Sequence, residues 1–215
     1  EHVKLSQEGN IPILYTGQKN DKVPFVKIDD EAAGRMMGAY LRQMGHKHAV
    51  FAGVTERDTA VGIDRKRGFI DAFREGRFGA KVDFVETGFD FLSAYNRAED
   101  VLRCRASVVV GATDNISLGI LRYIHERGIR VPEEISVVGF GGYEVGAVVY
   151  PALTTVAFDY ELVGMKAAQY MLDLLRQEPV QEHMEMPLFF VERESVRHLK
   201  REYEKEKPGS MNSLA

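Results

Sequence analysis

Arg65 sits in the segment GIDRKRGF, Phe89 follows the β-rich run KVDFVE, and Thr113 and Asp114 follow SVVVGA. Gly141, Gly142, Tyr143 and Glu144 close the run ISVVGF, Tyr160 follows LTTVAF, and Gly17 and Gln18 follow IPILYT. Each group stands just beyond a stretch that reads as a β-strand. Together they offer aromatic faces, amides, hydroxyls, carboxylates and one arginine. That mixture suits a polyhydroxylated ligand, whose C–H surfaces pack on rings and whose neighbouring hydroxyls take paired hydrogen bonds. Structural roles compete for the same residues. Asp30 and Asp114 also suit helix caps, Phe89 suits a core, and Arg65 is balanced between ligand and scaffold. Lys66 and Arg67 suit a solvated helix face. A glycine pair after a strand marks either a tight turn or backbone lying close to something bound.

Signals for catalysis and metal binding are weak. The chain has no GxSxG, no GxGxxG after its first strand and no P-loop lysine motif. The single cysteine, Cys104, lies in VLRCRAS with no histidine placed to activate it, and HKH at 46–48 lacks HExxH or CxxC spacing. A non-enzymatic protein without cofactor or metal is expected.

The elements that must position these residues alternate. Strands are expected at 11–16, 24–28, 48–53, 81–86, 107–112, 135–140, 153–158 and 187–192, several of them apolar on both faces. Helices are expected from Asp30 to a stop at Gly45, from Ile63 or Asp64 to Gly76, from Ser93, from Asp114 to Gly128, and over 161–177. Such alternation specifies a doubly wound α/β fold with parallel sheets. The first strand arrives with no strand–helix unit before it, so the chain reads as entering mid-domain.

Bulk properties narrow the partners. The 215 residues are 45% hydrophobic and 28% charged with a formal charge of -4, which gives no general attraction to nucleic acid or anionic membrane. One cysteine excludes an internal disulfide and suits a reducing cytoplasm. No run approaches the roughly 20 apolar residues of a membrane span. The end, KREYEKEKPGSMNSLA, reads as a charged flexible tail, 197–215.

The segments IDDEAAGRMMGAYLRQMGHKHAVFAG, DRKRGFIDAF, GATDNISLGILRYIHERGIRVPEEISVVGF and YPALTTVAFDYELVGMKAAQYMLDLL, in that order, resemble the effector-binding core of the lactose-repressor/galactose-repressor family, and FVERESV is similar to its closing strand. The endings GGYE and LYTGQ look most like the sucrose-operon repressor branch. The resemblance implies a periplasmic-binding-protein-like core of two subdomains joined by crossings near 28–30, 154–157 and 184–187. Residues 11–28 and 157–183 would form part of an N-terminal subdomain, and 29–153 with 187–196 a C-terminal one. It implies a sugar effector in the cleft (sucrose, fructose or a phosphorylated form), a homodimer, and operator DNA bound through a helix-turn-helix that these residues lack. Arg65 would grip hydroxyls and Phe89 would stack on the sugar, with Thr113, Asp114, Tyr143, Tyr160 and Gln18 beside it. Gly141 and Gly142 would replace a sugar-binding aspartate and make room for a larger ligand. A secreted sugar receptor of the same fold, or a sugar-acting α/β enzyme, are the alternatives.

Overall fold

Strands without polar alternation must be covered on both faces, and the larger of two sheets provides that cover. The computed structural model describes residues 2–199 apart from 10, 21, 77 and 180–182. Its strands are β1 (Tyr15–Thr16), β2 (Phe25–Ile28), β3 (His48–Gly53), β4 (Lys81–Glu86), β5 (Val108–Gly111), β6 (Ser136–Gly141), β7 (Thr154–Phe158), β8 (His183–Met186) and β9 (Leu188–Val191). Its helices are α1 (His2–Gly9), α2 (Asp30–Gln43), α3 (Lys66–Arg74), α4 (Phe91–Arg103), α5 (Asp114–Glu126), α6 (Val145–Val148) and α7 (Tyr160–Leu175), with a π-helical segment, Thr59–Arg65, leading into α3.

The larger sheet runs β4-β3-β5-β6-β7-β9, parallel except for β9, which pairs antiparallel with β7 from Thr155↔Val191 to Phe158↔Leu188. The smaller sheet runs β1-β2-β8, all parallel. The main core lies around the larger sheet, where Phe51, Phe69, Phe73, Phe140, Met37, Leu41, Ile116 and Ile120 are closed to solvent. A separate small core of Val26, Tyr170 and Met186 joins α7 to the smaller sheet. Among the described residues no helix is long and apolar enough to cross a membrane.

Several expected boundaries move. Residues 11–14 precede β1 without strand structure, as Pro12 and the edge position allow. Residues 154–157, expected as a crossing, are in register with β6 as part of β7, and the chain changes layer only at 158–160. Of the crossing expected at 184–187, residues 184–186 lie in β8, which pairs with β2 from Phe25↔His183 to Ile28↔Met186. Helix α4 starts at Phe91 rather than Ser93, because Asp90 accepts the Ser93 N–H at 2.8 Å. Of the expected flexible tail, 200–215 lies outside the described residues. Arg197 and Leu199 are tied down: the Arg197 N–H donates to Ser136 Oγ at 3.1 Å and that of Leu199 to the Met44 carbonyl at 2.8 Å.

Candidate functional site

Asp29 and Asp30 divide two tasks. Asp29 Oδ1 accepts the Ala32 N–H at 2.9 Å and caps α2. A helix start needs one cap, so Asp30, expected in that role, is instead the first helical residue and turns its carboxyl inward, 6% exposed. There it meets Arg65. Nε of Arg65 donates to Asp30 Oδ1 at 3.0 Å, Nη2 donates to the same oxygen, and Nη1 donates to the Ala112 carbonyl at 2.5 Å. The guanidinium carbon lies 5.0 Å from the Phe158 ring centre and 5.2 Å from that of Phe140. Burial raises the Asp30 carboxyl above its ordinary value, against the pull of Arg65. The arginine expected to hold ligand hydroxyls thus has a donor on each of its three nitrogens engaged by the protein.

Local sequence explains how Arg65 reaches this place. The helix expected to open at Ile63 or Asp64 opens at Thr59, where Asp58 accepts the Val61 N–H at 2.7 Å. The segment is π-wound, and Arg65 is its last residue. Gly34 on α2 lets that backbone approach: a Cβ there would stand 2.1 Å from the Arg65 carbonyl oxygen.

Thr113 and Asp114 repeat the division. Thr113 Oγ1 accepts the Ile116 N–H at 3.4 Å and caps α5. Asp114, expected as that cap and as a ligand contact, is fully buried. Its Oδ2 accepts the N–H groups of Gly142 at 2.8 Å and Tyr143 at 2.9 Å, and its Oδ1 accepts the Thr155 hydroxyl at 2.7 Å. Burial raises its carboxyl, opposed by these three donors. Asp114 joins the start of α5 to β7 and to the turn after β6.

That turn accounts for the glycine pair. Gly141 has φ 135° and Gly142 φ 76°, conformations that side chains disfavour. A Cβ on Gly142 would stand 2.4 Å from the Ala157 Cβ, and one on Gly141 2.9 Å from the Tyr143 ring. The expected spare room for a ligand is therefore filled by protein, and the glycines serve the turn that aims two N–H groups at Asp114. Gly142→Ala combines left-handed strain with overpacking, about 2–4 kcal/mol together. Its melting temperature should fall by about 5–15 °C in a thermal melt. An unchanged melt would return the pair to a ligand-facing role.

Tyr143 leaves this turn with its ring centre 6.1 Å from that of Tyr160, at the start of α7, and Tyr160 meets Phe158 edge-on at 5.9 Å. Burial and the Tyr143 hydroxyl push the Tyr160 phenol well above its usual value. Arg65, Phe158, Tyr160 and Tyr143 thus form one cluster where the chain passes between layers.

Gln18 and Phe89 are not members of this cluster. Gln18 is exposed and lines a cavity of about 80 Å³ with Lys27, Ile28, Asp30, Thr59 and Asp64, residues that follow or end β1, β2 and β3. Phe89 is 48% exposed in the turn between β4 and α4. Sequence reasoning missed Lys27 and Thr155, and placed Thr59 and Asp64 only within the stretch 55–65 that follows β3. It also missed the inward role of Asp30, for which the doublet Asp29-Asp30 was the available signal. Among the described residues, no group of three or more His, Cys, Asp or Glu side chains could hold a metal ion.

A second concavity lies on the outer face of the larger layer. An apolar groove of about 410 Å³ runs between Phe91, Leu118, Leu121, Val145, Val149 and Tyr150, and His125 and Tyr150 connect it to a wider depression of about 660 Å³. Val148 and Tyr150 beside it are 82% and 88% exposed.

Comparison with known proteins gives this architecture a context. The family of periplasmic binding protein-like domains matches residues 39–196. The sucrose operon repressor of Staphylococcus xylosus is 28% identical over 86% of this chain and 57% of its own length. The transcriptional repressor PurR of Pectobacterium atrosepticum is 31% identical over 89% of this chain and 58% of its own. This chain therefore spans less than two thirds of these curated relatives. Among solved structures, a LacI family transcriptional regulator from Enterococcus faecium with bound ribose superposes with a TM-score of 0.84, at 23% identity, over 91% of this chain and 74% of that one.

Proposed function

Because the chain belongs to the family of periplasmic binding protein-like domains, in the form that resembles effector-binding cores of lactose- and galactose-type repressors, we propose that it is the effector-binding core of a sugar-responsive transcriptional repressor. The observation that carries this reading is the cavity where residues beyond β1, β2 and β3 converge, because it draws on the carboxyl ends of strands in both sheets. Open α/β sheets bind ligands beyond those ends. Gln18, Thr59 and Asp64 offer it hydrogen-bonding groups, and the Tyr143–Tyr160 pair offers aromatic surface linked to it through Asp30 and Arg65. Phe89 is assigned to the ligand's apolar face, and the Arg65 hub to setting the shape of the wall. Thr113, Asp114, Gly141 and Gly142 act through the turn that presents Tyr143. A sucrose operon repressor among the relatives and ribose bound to a structural neighbour support a sugar.

The chain passes between layers at 28–30, 158–160 and 186–188. A ligand touching both layers stabilises one angle between them, and that angle governs how DNA-binding segments of the intact cytoplasmic protein meet an operator. Only differential affinity for the two angles can do this. Calorimetric titration with sucrose, fructose and ribose tests the reading. One of them should bind with micromolar affinity, and heats at the level of dilution for all of them and their phosphates would sink it.

The outer groove is assigned to homodimerisation. Its exposed Val148 and Tyr150 sit beside the buried apolar face of α5, and apolar patches of this kind mark association sites. Tyr150→Asp should convert a dimer to a monomer in sedimentation experiments while leaving the melt of the monomer unchanged. A wild-type monomer at micromolar concentration contradicts the assignment.

A further inference from the structure

Each helix start that follows β2, β3, β4, β5 and β7 carries its own side-chain cap. Asp29 closes α2, Asp58 the π-helical segment, Asp90 α4, Thr113 α5 and Asp159 α7. Free N–H groups at helix starts are what a bound phosphate uses, and the positive end of the helix dipole favours it. Here four of those five starts hold an internal carboxylate, and the N–H pair of Gly142 and Tyr143 is taken by Asp114.

The cations near the cavity are also matched. Arg65 is held by Asp30, Lys27 by Glu185 at 3.3 Å, Arg67 by Asp64 at 3.0 Å and Lys66 by Glu56 at 2.8 Å. The cavity wall itself sets two lysines, Lys19 and Lys27, against two aspartates, Asp30 and Asp64. A phosphate needs a surplus of positive charge or unoccupied N–H donors, and this edge supplies its own anions to both.

We propose that the cleft selects an uncharged sugar and excludes its phosphorylated or acidic forms, with Asp30 as the residue that sets this preference by cancelling Arg65. The proposal rests on the sugar-binding reading and narrows its ligand to one charge class. A phosphoryl group would have to displace a helix cap or sit beside the caps' negative charge. A neutral polyol needs only hydrogen bonds, which do not compete with these pairs.

The test titrates the protein, and its Asp30→Asn variant, with sucrose, fructose, sucrose 6-phosphate, fructose 6-phosphate and inorganic phosphate. Asparagine keeps an acceptor for Arg65 and removes the charge. Wild type should bind a neutral sugar at least ten-fold tighter than its phosphate, and Asp30→Asn should shrink that ratio by ten-fold or more. If Asp30→Asn does not fold, Asp58→Asn, which retains a good cap beside the cavity, should shrink the ratio by several-fold. Tighter binding of a phosphorylated sugar by wild type overturns the exclusion and leaves the sugar reading standing. Phosphate uptake by a variant alone, with no sugar bound by any form, supports the exclusion and overturns the sugar reading. Silence from every protein with every probe overturns both.

Discussion

Arg65→Ala is expected to lower the stability of the protein by about 3–5 kcal/mol, the cost of breaking a buried ion pair from one side. The substitution leaves the Asp30 carboxyl, 6% exposed, without its counter-charge, and strips the Ala112 carbonyl of its donor. It also opens a void beside Phe140 and Phe158. Chemical denaturation should show the loss as an earlier midpoint with little change in slope. Arg65→Lys should recover only part, because one ammonium cannot reach both Asp30 and Ala112 with a planar fork's geometry. Arg65→Met combined with Asp30→Leu should be far less damaging than Arg65→Ala, since it removes both desolvated charges together. Arg67→Ala, half exposed and paired with Glu31 and Asp64, should cost less than about 1 kcal/mol. An Arg65→Ala protein as stable as wild type would mean that the pair is not closed in solution.

Asp114→Ala should cost about 3 kcal/mol and abolish ligand binding as well. Three donors, the N–H groups of Gly142 and Tyr143 and the Thr155 hydroxyl, lose their acceptor together. The turn that places Tyr143 beside Tyr160 then keeps only the β6–β7 pairing and the bond from the Gly146 N–H to the Tyr143 carbonyl. Asp114→Asn separates geometry from charge. Its oxygen can still accept both N–H groups, while its amide turns to the Thr155 hydroxyl, which can accept as well as donate. About 1 kcal/mol should be lost, with binding largely kept. Equal damage from Asn and Ala, read by melting and titration, would show that the negative charge itself is required.

The fold was readable where apolar pattern alone decides. HAVFAG becomes β3 at the expected residues, because a strand buried on both faces leaves a run that no helix or loop needs. KVDFVE becomes β4, also at the expected residues, where its alternation of charged and apolar residues suits a half-exposed edge strand. β8 was missed because His183 to Met186 alternates polar and apolar at a sheet edge, and such four-residue strands owe more to their neighbour than to themselves. The site was legible by position and not by role. Residues after strands do gather at the carboxyl edge, yet sequence assigns the cap to whichever acid starts the apolar pattern. It cannot tell that Asp29 takes the cap and frees Asp30 for Arg65. Likewise the φ of Gly142 belongs to a three-dimensional turn, and only the Ala157 Cβ beside it reveals why no side chain fits.

The pairing of β2 with β8 has a consequence for biosynthesis. Phe25 must wait for His183 before it has a partner on that side, and β7 must wait for β9, which follows β8 by a single residue. On the ribosome, β3 to β7 can align as soon as each emerges, whereas both sheets acquire their final strand from one short stretch, 183–191. Completion of the two layers is thus simultaneous and late. A nascent chain halted just before residue 183 would hold an unpaired β2 edge and an unpaired β7 edge at once, both open to intermolecular strand pairing.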